Sequence, residues 1–481
     1  MEFHVSLDGR GDLVARIYRS LRDGVRDGRL RPGDRLPPTR ELARTLDVSR
    51  GTVATAYERL TAEGFLVGRV GAGTYVASGA TAMGAPPVRV TAGGLRPRRE
   101  WADVPAVWPA GAPVRYDFKI GTPDARLFPY DTWRRLVAAE WRRGREPSGY
   151  ADPAGHPDLR AAVARYVGYA RSVLAGADDV VVTGGAQQAL DLVARVLLAP
   201  GDVVAVEEPG YPPARAAFAA HGARVVGVPV DGDGLVISRL PATARLVYVT
   251  PSHQFPLGVA MSLRRRLELL AWADAHDAAV VEDDYDSEYR FADRPLEPLH
   301  GLDAGGRVVY VGTFSKTLLP GLRLGFAVVP PSLRGAVREA RRVADGHGPV
   351  ATEAALARFM DEGLLARHIR RTAKVYAQRR SLLLAGLAGP AGVLAPYLEA
   401  VPSAAGLHVC ALARPGVDVV AVVERARAAG VRVAALGQYR AEAGGQGGPD
   451  GLVLGYGAID AADVPAGLHR LAAVFRAVTP G

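Results

Sequence analysis

Residues 313–325 read TFSKTLLPGLRLG, and the reading of Lys316 decides the fold. The lysine stands among small hydroxyl residues, with Pro320, Gly321 and Arg323 close behind. A lysine that forms a Schiff base must reach a carbonyl in a pocket and be neutral part of the time, and burial or nearby cations lower its pKa. If that carbonyl belongs to pyridoxal phosphate, the chain must also cradle a phosphate. It must place a carboxylate at the pyridinium nitrogen and cover the ring with a flat group.

Working outward, the chain offers each part. VVVTGGAQQALDLVARVLL (180–198) reads as strand, Gly-rich turn and helix. The N–H groups of Ala186 and Gln187 open that helix, where the dipole and unpaired donors favour phosphate. Thr313 and Ser315 are hydroxyls beside Lys316, and Arg323 can pair with phosphate bidentately. AAVVEDDYDSEY (278–289) is a buried strand ending in acids, which suits a pyridinium partner. EEPGYPP (207–213) places Tyr211 on a turn after another strand, at the edge where α/β proteins bind ligands. Taken singly, a Gly-rich turn, an acidic loop and a lone lysine are commonplace; their order is what carries the reading.

From Tyr116 onward, apolar runs such as DVVAVEE, ARLVYVT and RVVYVGT alternate with amphipathic helical stretches. That texture predicts a mostly parallel sheet covered on both faces. After about residue 332 long helical stretches and then short strands (GLHVCAL, GVRVAAL, GLVLGYG) predict a smaller α+β lobe. Residues 79–115 are rich in Gly, Pro and Ala with a basic middle (Arg96, Arg98, Arg99), and read as a flexible linker.

The first 78 residues have a different texture. Leu13, Ile17, Leu21 and Val25 recur at the spacing of one buried helical stripe. TRELARTL is a short helix and DVS a tight turn, with Ser49 the expected N-cap of the next helix. That helix turns Val53, Ala56, Tyr57 and Leu60 inward and leaves Arg50, Thr52 and Thr55 facing out near its start. In a helix-turn-helix, this is where side chains reach base edges in the major groove. GFLVGRVGAGTYVA then reads as two short strands around a glycine tip, a wing.

The motifs resemble known families. LPPTRELARTLDVSRGTVATAYERLTAEGFLVGRVGAGTYV is similar to the winged helix-turn-helix of GntR-family bacterial regulators. That resemblance implies DNA contacts from Arg40, Arg50, Thr52 and Gly73. Gly51 and Ala54 stand where many members carry Thr and Arg, so base readout is expected to differ from theirs. Residues 116–475 resemble fold-type I pyridoxal-phosphate enzymes, the aspartate aminotransferase superfamily. TFSKTLLPGLRLG matches its S-x-x-K…R-x-G motif. The resemblance implies that Lys316 forms an internal aldimine with pyridoxal 5'-phosphate, and that Gly185, Ala186, Gln187, Thr313, Ser315 and Arg323 hold its phosphate. It also puts Tyr211 on the ring face, Asp283 at the ring nitrogen and Tyr285 at the ring hydroxyl. The usual spacing between those last two is one residue longer, so Glu282, Asp284 and Asp286 compete with Asp283.

Two departures concern the substrate. Where such enzymes read N-P-x-G the chain reads FPLG, and Phe255 falls at an asparagine that bonds the ring hydroxyl; His253 or Gln254 is the expected substitute. Val453 falls at the arginine that grips a substrate carboxylate, and Arg440 is the candidate replacement. A winged helix, a long linker and this domain, together with PSHQFP and EDDYDSEYR, resemble the MocR/PdxR-type subfamily of bacterial regulators.

The expected organisation is therefore multidomain. A winged helix-turn-helix (1–78) and a linker (79–115) precede an α/β fold-type I aminotransferase-like large domain (116–332), followed by its small α+β lobe (333–481). The expected function is a pyridoxal-phosphate-responsive transcription regulator with an amino compound as co-effector. Its expected partners are double-stranded operator DNA with paired half-sites and a second copy in a head-to-tail homodimer. The competing reading is a working aminotransferase carrying a DNA-binding module; the missing arginine argues against net turnover while leaving aldimine formation intact. A third, a plain enzyme whose N-terminus only dimerises, is disfavoured by the wing and the Arg50–Thr52 helix start.

Composition sets the outer bounds. Of 481 residues 48% are hydrophobic, enough for a large core, and the formal charge is +9. That charge is compatible with nucleic acid, but an arginine-rich composition also follows from GC-rich coding. No run approaches the ~18 uninterrupted apolar residues of a membrane span. MEFHVSLDGRGDLVARIYRS lacks the apolar segment of a signal peptide. Cys410 alone cannot form an internal disulfide, so a cytoplasmic setting is expected. No metal-ligating pattern is read.

Overall fold

The computed structural model describes residues 5, 7, 12–79, 96, 98, 101, 113–142, 149–291, 297–389, 391–441 and 448–478. The chain divides into two compact units, residues 1–97 and 98–481. Most of the expected linker, including Arg99, lies outside the described residues.

The first unit is built from α1 (Leu13–Arg26), α2 (Thr39–Thr45), α3 (Arg50–Ala62) and the hairpin β1 (Leu66–Arg69) with β2 (Gly73–Val76). Ile17, Leu21 and Val25 of α1 pack with Val53, Ala56 and Leu60 of α3 in one core. Leu13 departs from the expected stripe and is exposed, because it is the first helical residue, one turn beyond that core. Ser49 caps α3 by accepting from Thr52 N at 3.1 Å, an interaction worth about 1 kcal/mol.

The second unit begins with β3 (Tyr116–Asp117), α4 (Tyr130–Arg142), α5 (Pro157–Arg171) and β4 (Val180–Thr183). There follow α6 (Ala186–Leu197), β5 (Val203–Glu208), α7 (Pro212–Ala220), β6 (Arg224–Asp231), β7 (Gly234–Leu235), β8 (Ala244–Val249), α8 (Leu263–Ala275) and β9 (Ala279–Asp284). Then come α9 (Leu299–Leu302), β10 (Val308–Thr313), β11 (Gly325–Val328), α10 (Arg334–Asp345), α11 (Val350–Asp361) and α12 (Leu364–Leu387). The chain closes with β12 (Leu398–Ala400), β13 (His408–Ala413), α13 (Val419–Ala428), β14 (Val431–Arg432), β15 (Ala434–Ala435), β16 (Gly451–Gly455) and α14 (Asp463–Val478).

The large sheet runs β4-β11-β10-β9-β8-β5-β6-β7. Pairing is parallel from β10 through β9, β8 and β5 to β6, and β11 is antiparallel to both β10 and β4. Burial on both faces explains the unbroken apolar runs. Val204, Val206, Leu246, Tyr248 and Val281 join the core under α6 and α7. Val203, Ala205, Val247 and Val280 face α8. Asp283 follows Val281 by two residues and therefore shares its side of the strand.

The smaller sheet, β12-β13-β16-β15, packs with α12, α13 and α14. β3 pairs in parallel with β14. The segment at Tyr116 thus reaches the C-terminal lobe before the chain enters the large one. No described helix is long and apolar enough to cross a membrane.

Candidate functional site

The carboxyl ends of β4, β5, β8, β9 and β10 meet at a cavity of about 530 Å³. Lys316, just past β10, lines it and donates to Gly121 O at 2.8 Å. Burial lowers its pKa; Asp286 and Asp283 oppose that shift, and Lys119 adds to it by repulsion. A poised amine needs this balance, since the neutral form is the nucleophile.

Asp283 ends in the cavity with Tyr248 donating to its Oδ2 at 2.7 Å. Its buried Oδ1 has no hydrogen-bond partner among the described residues. Burial pushes its pKa up to about 7, helped by the neighbouring Asp284 and Asp286. The three competitors are engaged elsewhere. Glu282 accepts from Leu299 N and His300 N, both at 3.0 Å. Asp284 pairs with Arg171 at 2.9 Å. Asp286 lines the cavity, but its oxygens take His253 Nδ1 at 3.0 Å and Leu407 N at 3.2 Å.

Tyr285 lines the cavity, and burial raises its pKa well above the ordinary phenol value. Its hydroxyl lies 2.9 Å from His253 Nδ1 and 3.0 Å from the His253 carbonyl. A backbone carbonyl can only accept a hydrogen bond. The phenol then donates to the carbonyl and keeps an oxygen lone pair for a ligand. His253 is thus behind Tyr285 and does not line the cavity. Gln254 is also absent from the wall: its Nε2 donates to Glu207 Oε2, Pro209 O and Phe255 O. Phe255 takes the wall position itself, edge-on to Tyr211 at 5.4 Å between ring centres.

The phosphate-side residues converge. Ala186 and Gln187, at the N-terminus of α6, face the cavity together with Thr313, Ser315 and Arg323. Thr313 Oγ1 donates to Ser315 Oγ at 3.0 Å, and Arg323 Nη2 donates to Gly184 O. Gly185 caps α6 at φ +94°, where a Cβ would come within 3.1 Å of Arg323 Nη2. It shapes the turn without lining the cavity.

Ile120, Phe255 and Leu407 are apolar lining residues. Val453, fully buried on β16, clusters with Ile120, Phe255, Cys410 and Leu436. Arg440 is outside the wall, its Nη2 donating to Pro449 O at 2.6 Å. Lys119, Gly121, Tyr248 and His408 line the cavity without having been singled out in the sequence. The glycine of FKIGTP (118–123) was the one available signal. His408, which donates from Nε2 to Pro256 O at 3.1 Å, is kept neutral: burial, and then the nearby His253, push its pKa down to about 3.

In the first unit, Arg40, Arg50 and Gly73 are exposed and Thr52 is half-buried. Arg50 is the first residue of α3. Thr52 Oγ1 lies 2.8 Å from Ser49 Oγ, so its hydroxyl helps fix the cap. Gly73 opens β2 at φ +114°, a conformation that favours glycine.

Residues 125–434 match the family described as aminotransferase class I and II, and residues 13–76 match bacterial regulatory proteins, gntR family. The chain is 39% identical to the probable rhizopine catabolism regulatory protein MocR of Rhizobium meliloti, covering 96% of this chain and 93% of that one. It is 33% identical to the pyridoxine biosynthesis regulator PdxR of Corynebacterium glutamicum, over 93% and 92%. Among solved structures, kynurenine aminotransferase of Pyrococcus horikoshii superposes with a TM-score of 0.69 at 29% identity, covering 77% of this chain and 92% of that one.

Pyridoxal 5'-phosphate is the cofactor this domain implies, and the residues fit it. The unpaired Asp283 Oδ1 suits a ring N–H, the α6 N-terminus with Arg323 suits a phosphate, and Lys316 supplies the amine. The chain belongs to the MocR/PdxR-type subfamily of GntR-family transcription regulators, a winged helix joined to a pyridoxal-phosphate-binding aminotransferase domain of fold type I.

Proposed function

We propose that this regulator reads pyridoxal phosphate as a signal, with a small amino compound as co-effector, and acts on paired half-sites as a head-to-tail homodimer. One observation carries the reading. The cofactor side of the cavity keeps its lysine, acid and phosphate cradle, while Val453, at the place of the carboxylate-gripping arginine, is an aliphatic residue buried in the apolar cluster with the lining residues Ile120 and Phe255. Pyridoxal phosphate, when bound, supplies a carbonyl that reacts with primary amines. Asp283 would hold the ring nitrogen, Tyr285 the ring hydroxyl, Tyr211 the ring face, and Lys316 the proton-accepting amine. Without an arginine at 453, an amino acid lacks the rigid bidentate grip on its carboxylate that positions it for turnover.

Regulation follows if cofactor and amine bind one arrangement of the aminotransferase lobes better than another. Coupling of that kind is limited to the ligand's differential affinity, typically ~1–3 kcal/mol. The competing reading, a working transaminase, is favoured by the completeness of the Lys316–Asp283–Tyr285 set. Two assays on the full chain separate them. Amino-group transfer to 2-oxo acids over a panel of donors should stay at the level of free cofactor, while DNA selected from a random pool is bound. Steady multiple turnover with any donor would make the protein an enzyme.

A further inference from the structure

We infer that Lys119 is the anion anchor of the amino effector, so that the effector is a primary amine bearing a compact negative group of either planar or tetrahedral shape. The inference rests on the cofactor-responsive reading and names the ligand class of that same cavity.

Charge matching leads to it. Among the described residues, the cations on the cavity wall are Lys119, Lys316 and Arg323. A bound cofactor would take Arg323 with its phosphate and Lys316 with its carbonyl, and would pair Asp283 with its ring nitrogen. Asp286 is already satisfied by His253 and the Leu407 amide. His408, neutral and hydrogen-bonded to Pro256 O, offers no charge. Lys119 remains, and among the described residues it has no hydrogen-bond or ion-pair partner. It lines the same cavity as Lys316, and its charge repels the Lys316 amine, so an anion held by Lys119 lies in the space that amine faces and neutralises that charge.

The shape tolerance follows from the residue type. Arginine recognises a planar carboxylate with a rigid fork, whereas a lysine ammonium is a point charge with three rotatable donors. Lys119 is exposed and unbraced, so it imposes no planar geometry. Carboxylates and sulfonates should both satisfy it. Ile120, Phe255 and Tyr439 line the same cavity and offer apolar surface to the effector's body.

The test titrates the cofactor-loaded full chain with propylamine, 3-aminopropanoate and 2-aminoethanesulfonate, and with homologues one and two methylenes longer, following the cofactor's absorbance. The uncharged amines are the internal reference. The native protein should bind the best carboxylate and the best sulfonate about tenfold more tightly than the matched neutral amine, as one charged hydrogen bond gives. Lys119→Ala should erase that advantage. Lys119→Arg should restore it for carboxylates more than for sulfonates. An anionic preference that survives Lys119→Ala, or its absence from the native protein, overturns the assignment while leaving the cofactor reading intact. A native chain that takes up no cofactor sinks both.

Discussion

Two parts of the cavity lining differ in kind. On the cofactor side, polar groups are held by other polar groups: Tyr248 on Asp283, Asp286 on His253, Thr313 on Ser315. Elsewhere the lining residues Ile120 and Phe255 rest on Val453, Cys410 and Leu436 in a small apolar cluster. A wall built from interlocked hydrogen bonds cannot lose one member cheaply, because each loss orphans a buried partner. An apolar wall tolerates exchange of its surface as long as volume is kept. The difference teaches that the means of holding a cofactor and the means of choosing a substrate are separable in this fold. A regulator can keep the first and rebuild the second.

The largest expected effect breaks the cofactor side outright. Lys316→Ala should abolish the long-wavelength absorbance of the cofactor-loaded protein and its trapping by borohydride. A variant that still forms a reducible adduct would show that another amine carries the cofactor.

Next, Asp283→Ala should weaken cofactor affinity about tenfold to a hundredfold, the worth of a charge-assisted hydrogen bond. Asp286→Ala should weaken it less, and should instead lower thermal stability, because His253 Nδ1 and the Leu407 amide would both lose their partner. Equal losses of cofactor affinity in the two variants would erase the distinction drawn between these acids.

A smaller effect contrasts the first unit with the second. Arg50 opens α3; we propose that it reaches a base edge, where an arginine–guanine pair is worth ~1–3 kcal/mol of discrimination. Arg50→Ala should therefore lower affinity for the operator more than for scrambled DNA. Arg98, which donates to Ala220 O at 3.3 Å, should matter to both alike or to neither. Equal weakening of both DNAs by Arg50→Ala would make Arg50 a phosphate contact.

The smallest effect is in pH. Burial raises Asp283, Glu207 and Glu282 to about 7 in the cofactor-free protein. The folded state then keeps these protons longer than the unfolded chain, whose carboxyls titrate near 4. Stability should fall as pH rises from about 4 to about 7 and level off above. Asp283→Asn should flatten that slope, as should cofactor, whose ring cation favours the carboxylate. Urea unfolding at several pH values reads it; an unchanged slope in Asp283→Asn would show that Asp283 is already ionised there.

Much of this arrangement was legible along the chain because it is local. Lys316, Thr313, Ser315 and Arg323 occupy one short stretch, and strand alternation puts Asp283 on the face of Val281. The cap at Ser49 and the inward face of α3 followed from spacing alone. What was hidden arrives from separate elements. Tyr248 reaches Asp283 across neighbouring strands, His408 comes from the small lobe, and Lys119 enters from an irregular segment just after β3. The choice between His253 and Gln254 also needed the fold. Both are buried beside the cavity, yet one supports Tyr285 and the other ties Glu207 to the backbone.

The measurement that bears most directly on the central claim is the DNA affinity of the full chain with and without pyridoxal phosphate, in native protein and in Lys316→Ala. The operator would be one selected from a random pool, at fixed salt, since phosphate contacts make affinity salt-dependent. If the cofactor is a signal, it should shift native affinity by roughly 5- to 150-fold, and the shift should vanish in Lys316→Ala. Identical DNA affinity with and without cofactor in the native protein would contradict the account.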